Sequence, residues 1–216
     1  MRGITIIFND ERIHTGNTLD LVQEKKEIGK PVIQSFKVQV PGRNGLLNLT
    51  KGLTGKVSYY NRSLSFQYFG TGTRDRLLYL DNYMSRFHGQ TIRIIDDDYP
   101  YHYYEGEASV STVFNGNYIT ITLTVDAQPF RLKISPFKHS RNVDGTIEME
   151  LYNDGHIDVI PVITVTAEFT IKFDDKTVTL SAGTYTVDNL VLHSGYNKIE
   201  VSGAGSITIE YQEGEI

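Results

Sequence analysis

Apolar and polar residues alternate with a period of two along most of this chain. Segment 107–126 is the clearest case: Ile119, Ile121, Leu123 and Val125 interleave with Thr120, Thr122 and Thr124, which gives a strand with one apolar and one polar face. Asn115-Gly116 stands before that arm and supplies the positive φ angles of a two-residue type I′ turn. A different period appears once. Over 74–88 the residues Leu77, Leu80, Met84 and Phe87 recur at steps of three and four, which predicts a helix capped by Thr73 and ended by Gly89. Arg86 and His88 fall where a helix dipole favours cations. The apolar stripe is expected to cover a sheet face, with Tyr79 and Phe87 in the core.

After Pro129 the texture changes. Residues 135–145 are polar and punctuated by Pro136 and Asn142, which reads as a linker. Short alternating runs follow at 147–151, 162–167, 169–173, 178–180, 185–187, 199–201 and 207–211. Turn residues separate them, among them Asn153-Asp154-Gly155, Asp174-Asp175 and Gly203-Ala204-Gly205. Such spacing predicts a compact antiparallel sandwich. The pattern therefore predicts a mainly β chain in two units: 1–134 with one flanking helix, a linker at 135–145, and a small β-sandwich at 146–216.

Composition narrows the function. The 216 residues contain no cysteine, which removes disulfides, thiol nucleophiles and zinc ribbons. A net charge of −5 gives no general attraction for nucleic acid. The charge is uneven, with an excess of basic residues up to Ile134 and of acidic residues beyond it, as expected of two units with different surroundings. The apolar run Ile4 to Phe8 is far shorter than the roughly 20 residues of a spanning helix, so neither a membrane span nor a secretory signal is expected.

Candidate chemistry is sparse. Asp96-Asp97-Asp98, with His102, Glu105 and Glu107 nearby, is the densest set of oxygen ligands. Three consecutive aspartates on extended chain cannot all wrap one ion, and the spacing misses the EF-hand pattern, so the run reads as a solvated turn. No nucleophile elbow, phosphate loop or dinucleotide glycine pattern occurs, and the six histidines are scattered. No enzyme, cofactor or metal is expected. Tyr99, Tyr101, Tyr103 and Tyr104 are the most unusual local feature. Sheet alternation would put Tyr99, Tyr101 and Tyr103 on one face, suited to an interface or to stacking on a ligand.

These motifs carry a resemblance. Val40-Pro41-Gly42-Arg43-Asn44-Gly45, then Tyr59-Tyr60-Asn61-Arg62-Ser63-Leu64-Ser65-Phe66, Asp97-Asp98-Tyr99-Pro100, Tyr103-Tyr104-Glu105-Gly106-Glu107 and Val125-Asp126-Ala127-Gln128-Pro129-Phe130 follow in order over the first 135 residues or so. In order and spacing the sequence resembles the distal tail proteins of long-tailed, non-contractile phages and prophages. Asn153-x-Gly155 with Pro161 resembles the second domain of that family. The resemblance implies a tail-tube-like β-sandwich with one flanking helix, then a galectin-like β-sandwich. It implies a homo-hexameric ring at the distal end of the tail, a hub joining the tail tube protein to the tip, baseplate or receptor-binding protein. DNA and the tape-measure protein would pass through its channel without specific binding. The protein would be made in the host cytoplasm and reside in the virion.

A closed ring pairs two different patches head to tail. Pro41, Gly42, Arg43, Asn44 and Gly45, at the start of a polar loop over 42–55, together with Tyr99, Tyr101 and Tyr103, are the candidate subunit interface. Pro41 to Gly45 also reads as a plain tight turn, and a loop can be both. The competing reading is a carbohydrate-binding β-sandwich module, resting on the strand texture and the tyrosines.

Overall fold

The computed structural model of the protein describes residues 2–42, 44–51 and 57–216. It is mainly β with one helix and divides into two compact units, one of residues 1–131 with Ile216, the other of residues 132–215.

In chain order the first unit contains β1 (Ile4–Phe8), β2 (Glu11–His14), β3 (Val22–Ile28), β4 (Lys37–Gln39), β5 (Leu46–Asn48), β6 (Arg62–Thr71), α1 (Arg74–Ser85), β7 (Thr91–Asp96), β8 (His102–Asn115) and β9 (Tyr118–Ala127). A short β10 (Arg131–Lys133) lies where the units divide. The main sheet runs β2-β1-β7-β8-β9-β6-β3 and is antiparallel throughout this path. Alternation places Ile4 and Ile6, Ile92 and Ile94, Leu64, Phe66 and Tyr68, and Ile119 to Val125 at every second position in one buried core. Helix α1 adds Leu77, Leu80 and Met84 to it, and Phe87 follows from the turn after the helix.

Thr73 caps α1 as its position predicts, its hydroxyl accepting from Arg76 N at 3.4 Å. The helix ends three residues earlier than the periodicity suggests, and Gly89, at φ +72°, closes the turns that follow. Tyr79 is not core: it is exposed beside Tyr83, because its place on the helix turns it away from the sheet. The β8–β9 turn is one residue later than expected. Asn115 pairs with Tyr118, so Gly116-Asn117 form the loop, with positive φ only at the glycine, as in a type II′ turn.

The second unit contains β11 (Phe137–Asn153), β12 (Val162–Val165), β13 (Phe169–Phe173), β14 (Lys176–Leu180), β15 (Gly183–Thr186), β16 (Gly195–Tyr211) and β17 (Gly214–Glu215). Two expectations are corrected here. Residues 137–145 are no linker but the first half of the 17-residue strand β11, paired with β16 from Phe137↔Tyr211 to Asn153↔Gly195. Gly203-Ala204-Gly205 is likewise no turn but the middle of β16.

One edge of β16 is taken by β11 along its whole length. The other is shared, with β13 beside residues 200–203 and β12 beside 207–210. The glycines mark the place where the ribbon passes from one group of strands to the other. Gly145 and Gly205 take φ +96° and +151°, and a Cβ on Gly203 would lie 2.6 Å from the Phe169 ring. Both groups bury their apolar faces in one core, with Phe169 and Ile171 from β13, Ile163 and Val165 from β12, and Ile199, Val201, Ile207 and Ile209 from β16. Two packed layers joined by one long ribbon are a β-sandwich.

Candidate functional site

Between β3 and β6 the chain leaves the main sheet as an arm. Strands β4 and β5 pair as Lys37↔Asn48, Val38↔Leu47 and Gln39↔Leu46. Backbone bonds extend the pairing toward the base: Leu49 N to Phe36 O, Gln34 N to Ser58 O and Tyr60 N to Val32 O, each 2.8 Å. At the tip lie Pro41, Gly42, Asn44 and Gly45, all exposed, with both glycines at positive φ. Arg43 and the 52–56 part of the expected polar loop lie outside the described residues.

The arm carries apolar side chains that reach no core. Val32 is 65% exposed, and Ile33, Phe36, Leu46 and Tyr60 are each about half exposed. No described residue between Ile28 and Leu64 belongs to the core of the unit or packs against it as a partly buried apolar group. A two-stranded ribbon is marginal alone in water, so this one needs other contacts to hold it. Sequence reasoning placed weight on the polar tip and missed the apolar flanks. The available signal was Val32, Ile33 and Phe36 in a stretch without a clean period of two.

The tyrosine segment does not form one strip. Tyr99 and Tyr101 lie in consecutive turns before β8, with Tyr99 N bonded to Asp96 O at 2.8 Å and His102 N to Tyr99 O at 3.1 Å. Only Tyr103 and Tyr104 alternate within the strand, and Tyr104 is buried. Tyr101 is 79% exposed. The others sit against guanidinium groups: Arg131 over Tyr99 at 4.1 Å, Arg93 over Tyr103 at 5.0 Å and Arg62 over Tyr104 at 5.4 Å.

Asp97 and Asp98 lie in an exposed turn as expected, but Asp96 is the buried last residue of β7. Asp96 is 2% exposed and receives Lys26 Nζ on both oxygens, at 3.0 and 2.9 Å. Lys26 also donates to Asp98. Burial pulls the Lys26 ammonium toward neutrality, but its bonds to Asp96 and Asp98 outweigh this and hold its pKa above the ordinary value. The same bond lowers Asp98. Asp97 accepts from Gly3 N at 2.8 Å and lies 3.2 Å from His14 Nε2. His14 Nδ1 accepts from Gly16 N and Asn17 N, so the ring proton sits on Nε2, facing Asp97. The three carboxylates thus clamp β1, β2, β3 and β7 together. No group of three or more acidic or histidine side chains is placed to hold a metal among the described residues, and no helix among them is long and apolar enough to cross a membrane.

The comparison of folds matches the chain to the crystal structure of Dit (gp 19.1) of phage SPP1, described as a paradigm of the hub adsorption apparatus in phages that infect Gram-positive bacteria. The match covers 99% of both chains with a TM-score of 0.70 at 15% sequence identity. The chain has the Dit fold. Both units take part in the Dit match, since almost nothing of either chain lies outside it. No protein-family model and no curated protein matches the sequence.

Proposed function

We propose that this protein is a structural subunit of a phage tail and that it assembles as a hexameric ring at the distal end, a hub between the tail tube and the tip or baseplate. The observation that carries this reading is the arm of residues 31–60, which exposes Val32, Ile33, Phe36, Leu46 and Tyr60 without a core of its own. A chain that displays such a ribbon gains by docking it on another copy, because apolar area removed from water stabilises by roughly 25 cal/mol per Å2. Full-length likeness to the fold of SPP1 Dit supports the same reading. The arm tip at Pro41, Gly42, Arg43, Asn44 and Gly45 and the exposed Tyr101 take part in subunit contacts, with Tyr99 and Tyr103 at the margin. The protein works through these surfaces, with no catalytic step, and acts in the virion, where its partners are its own copies, the tube protein and the tip. DNA and the tape-measure protein cross the ring without specific binding.

Mass photometry and negative-stain images of the full chain test this. The expected result is a ring of six 24.4 kDa subunits, and Phe36→Asp with Leu46→Asp is expected to give monomers that keep the strand signal in circular dichroism and unfold cooperatively, at a lower temperature than the ring. A wild-type chain that stays monomeric up to its solubility limit would sink the proposal.

A carbohydrate-binding module is favoured by one feature. Tyr152 and Tyr196 face each other across β11 and β16 with centroids 4.7 Å apart, and Tyr196 is 82% exposed. Glycan binding by a stable monomer, lost on Tyr196→Ala, would select this reading.

A further inference from the structure

Arg62 stands where a hydrophobic residue is expected. It opens the core-facing row of β6, ahead of Leu64, Phe66 and Tyr68, and is 4% exposed. Its Nε has no hydrogen-bond partner, and it forms no ion pair among the described residues. Arginine cannot shed its charge in a protein, so a buried guanidinium without a carboxylate is costly. Stacking over the Tyr104 ring at 5.4 Å recovers only part of that cost.

Arg62 lines a pocket of about 520 Å3 within the first unit. The other charged side chains on its wall are Lys26, Lys30, Arg131, Asp96 and Asp98, and Ile216, the last residue, lines it too. The two carboxylates are taken up by Lys26, which both accept from. Arg131 is held on the face of Tyr99, close enough for its charge to disfavour the cation of Arg62, after burial the main influence lowering the pKa of that group. Lys30 is exposed at the rim. The wall therefore presents cationic groups, a buried one among them, and Lys26 already answers its two aspartates.

We propose that this pocket is a binding site for an oxyanion of the phosphate or carboxylate class, with Arg62 as its buried anchor and Lys30 at its mouth. A planar guanidinium offers two parallel N–H bonds to such a group, and these gain strength where water is excluded. The site is separate from the arm, and it stands whether or not the chain forms a ring. The anion is either free in solution or a carboxylate of another copy; the two sources share the recognition chemistry and differ in their effect on assembly.

Inorganic phosphate is the probe, titrated calorimetrically and by thermal melting into full-length protein at constant ionic strength set with sodium chloride. The wild type is expected to bind saturably and to melt several degrees higher with phosphate. Arg62→Met is expected to lose that shift, and without phosphate to be at least as stable as the wild type, because an unpaired buried charge is gone. Lys30→Gln, a rim substitution that leaves the core untouched, is expected to weaken phosphate binding severalfold. Either of two results overturns the proposal: a wild type blind to phosphate, or shifts of equal size in the wild type, Arg62→Met and Lys30→Gln. Light scattering of the same titration separates the sources. Phosphate that binds the wild type and disperses its oligomer identifies a carboxylate of a neighbouring copy, and phosphate that binds without dispersing it identifies a free anion. A chain that never forms an oligomer leaves the phosphate result standing, so failure of the hub reading and failure of this one remain distinct.

Discussion

Asp96 and Arg62 are the charged side chains that the described part of the first unit buries, and their surroundings are opposite. Asp96 has a dedicated cation in Lys26, whereas Arg62 has an aromatic face and a pocket. At the surface, two carboxylates answer to cations in a way that acid will reveal. Glu11 is held below its ordinary pKa first by its bond to Arg86, and Asp98 first by its bond to Lys26. A depressed folded pKa means that the unfolded chain binds protons more readily, so stability is fully present above about pH 4.5 and falls as pH drops through the folded values. Urea midpoints measured from neutral pH down into the acid range are expected to decline more gently for Glu11→Gln with Asp98→Asn than for the wild type. Parallel curves would show that these pairs contribute nothing to folding, as surface pairs often do not.

At the scale of elements, the parts read correctly from sequence are those whose information is local. The α1 stripe from Leu77 to Met84 and the Thr73 cap lie within a few turns of one another, and Ile119 to Val125 displays its period of two without reference to any partner. The misread parts depend on distant pairing. Residues 137–145 look like a linker because most of their side chains face water, but their backbone bonds go to residues 203–211. Gly203 and Gly205 look like a turn because turns need glycine, but here glycine is needed where Phe169 and Thr166 crowd the ribbon. The site shows the same division. The exposed tip at Pro41 to Gly45 was legible as a turn, whereas the clamp of Asp96 by Lys26 joins residues 70 apart in sequence. Gly203→Ala is expected to destabilise the protein by about 1–3 kcal/mol, since the new Cβ would lie 2.8 Å from Glu168 O as well as against the Phe169 ring. Chemical denaturation checks this, and an unchanged midpoint would mean that β16 moves away from β13 at little cost.

For the whole molecule, the two cores have no residue in common, with Leu77, Phe66 and Ile121 central to one and Phe169, Ile163 and Ile209 to the other. Each unit therefore has its own reason to fold. A chain ending at Arg131 is expected to keep the strand signal in circular dichroism and to unfold cooperatively in urea. A fragment that loses structure gradually from the lowest urea concentrations would show that the first unit depends on the second. The arm belongs to the first unit, so on the hub reading such a fragment still builds rings.

The pairing of β11 with β16 sets how the second unit bears tension. Phe137 lies opposite Tyr211, their rings stacked 4.8 Å apart, so the polypeptide enters and leaves the ribbon at the same end. A pull on those two ends does not load the ladder in shear, with every hydrogen bond sharing the force. It opens the ribbon like a zip, one residue pair at a time. The Phe137–Tyr211 stack yields first, and Gly145 parts from Gly203 only after the first half of the ribbon has opened. A unit held together by a packed core is in this direction mechanically soft, and it gives way by peeling, with no sudden rupture.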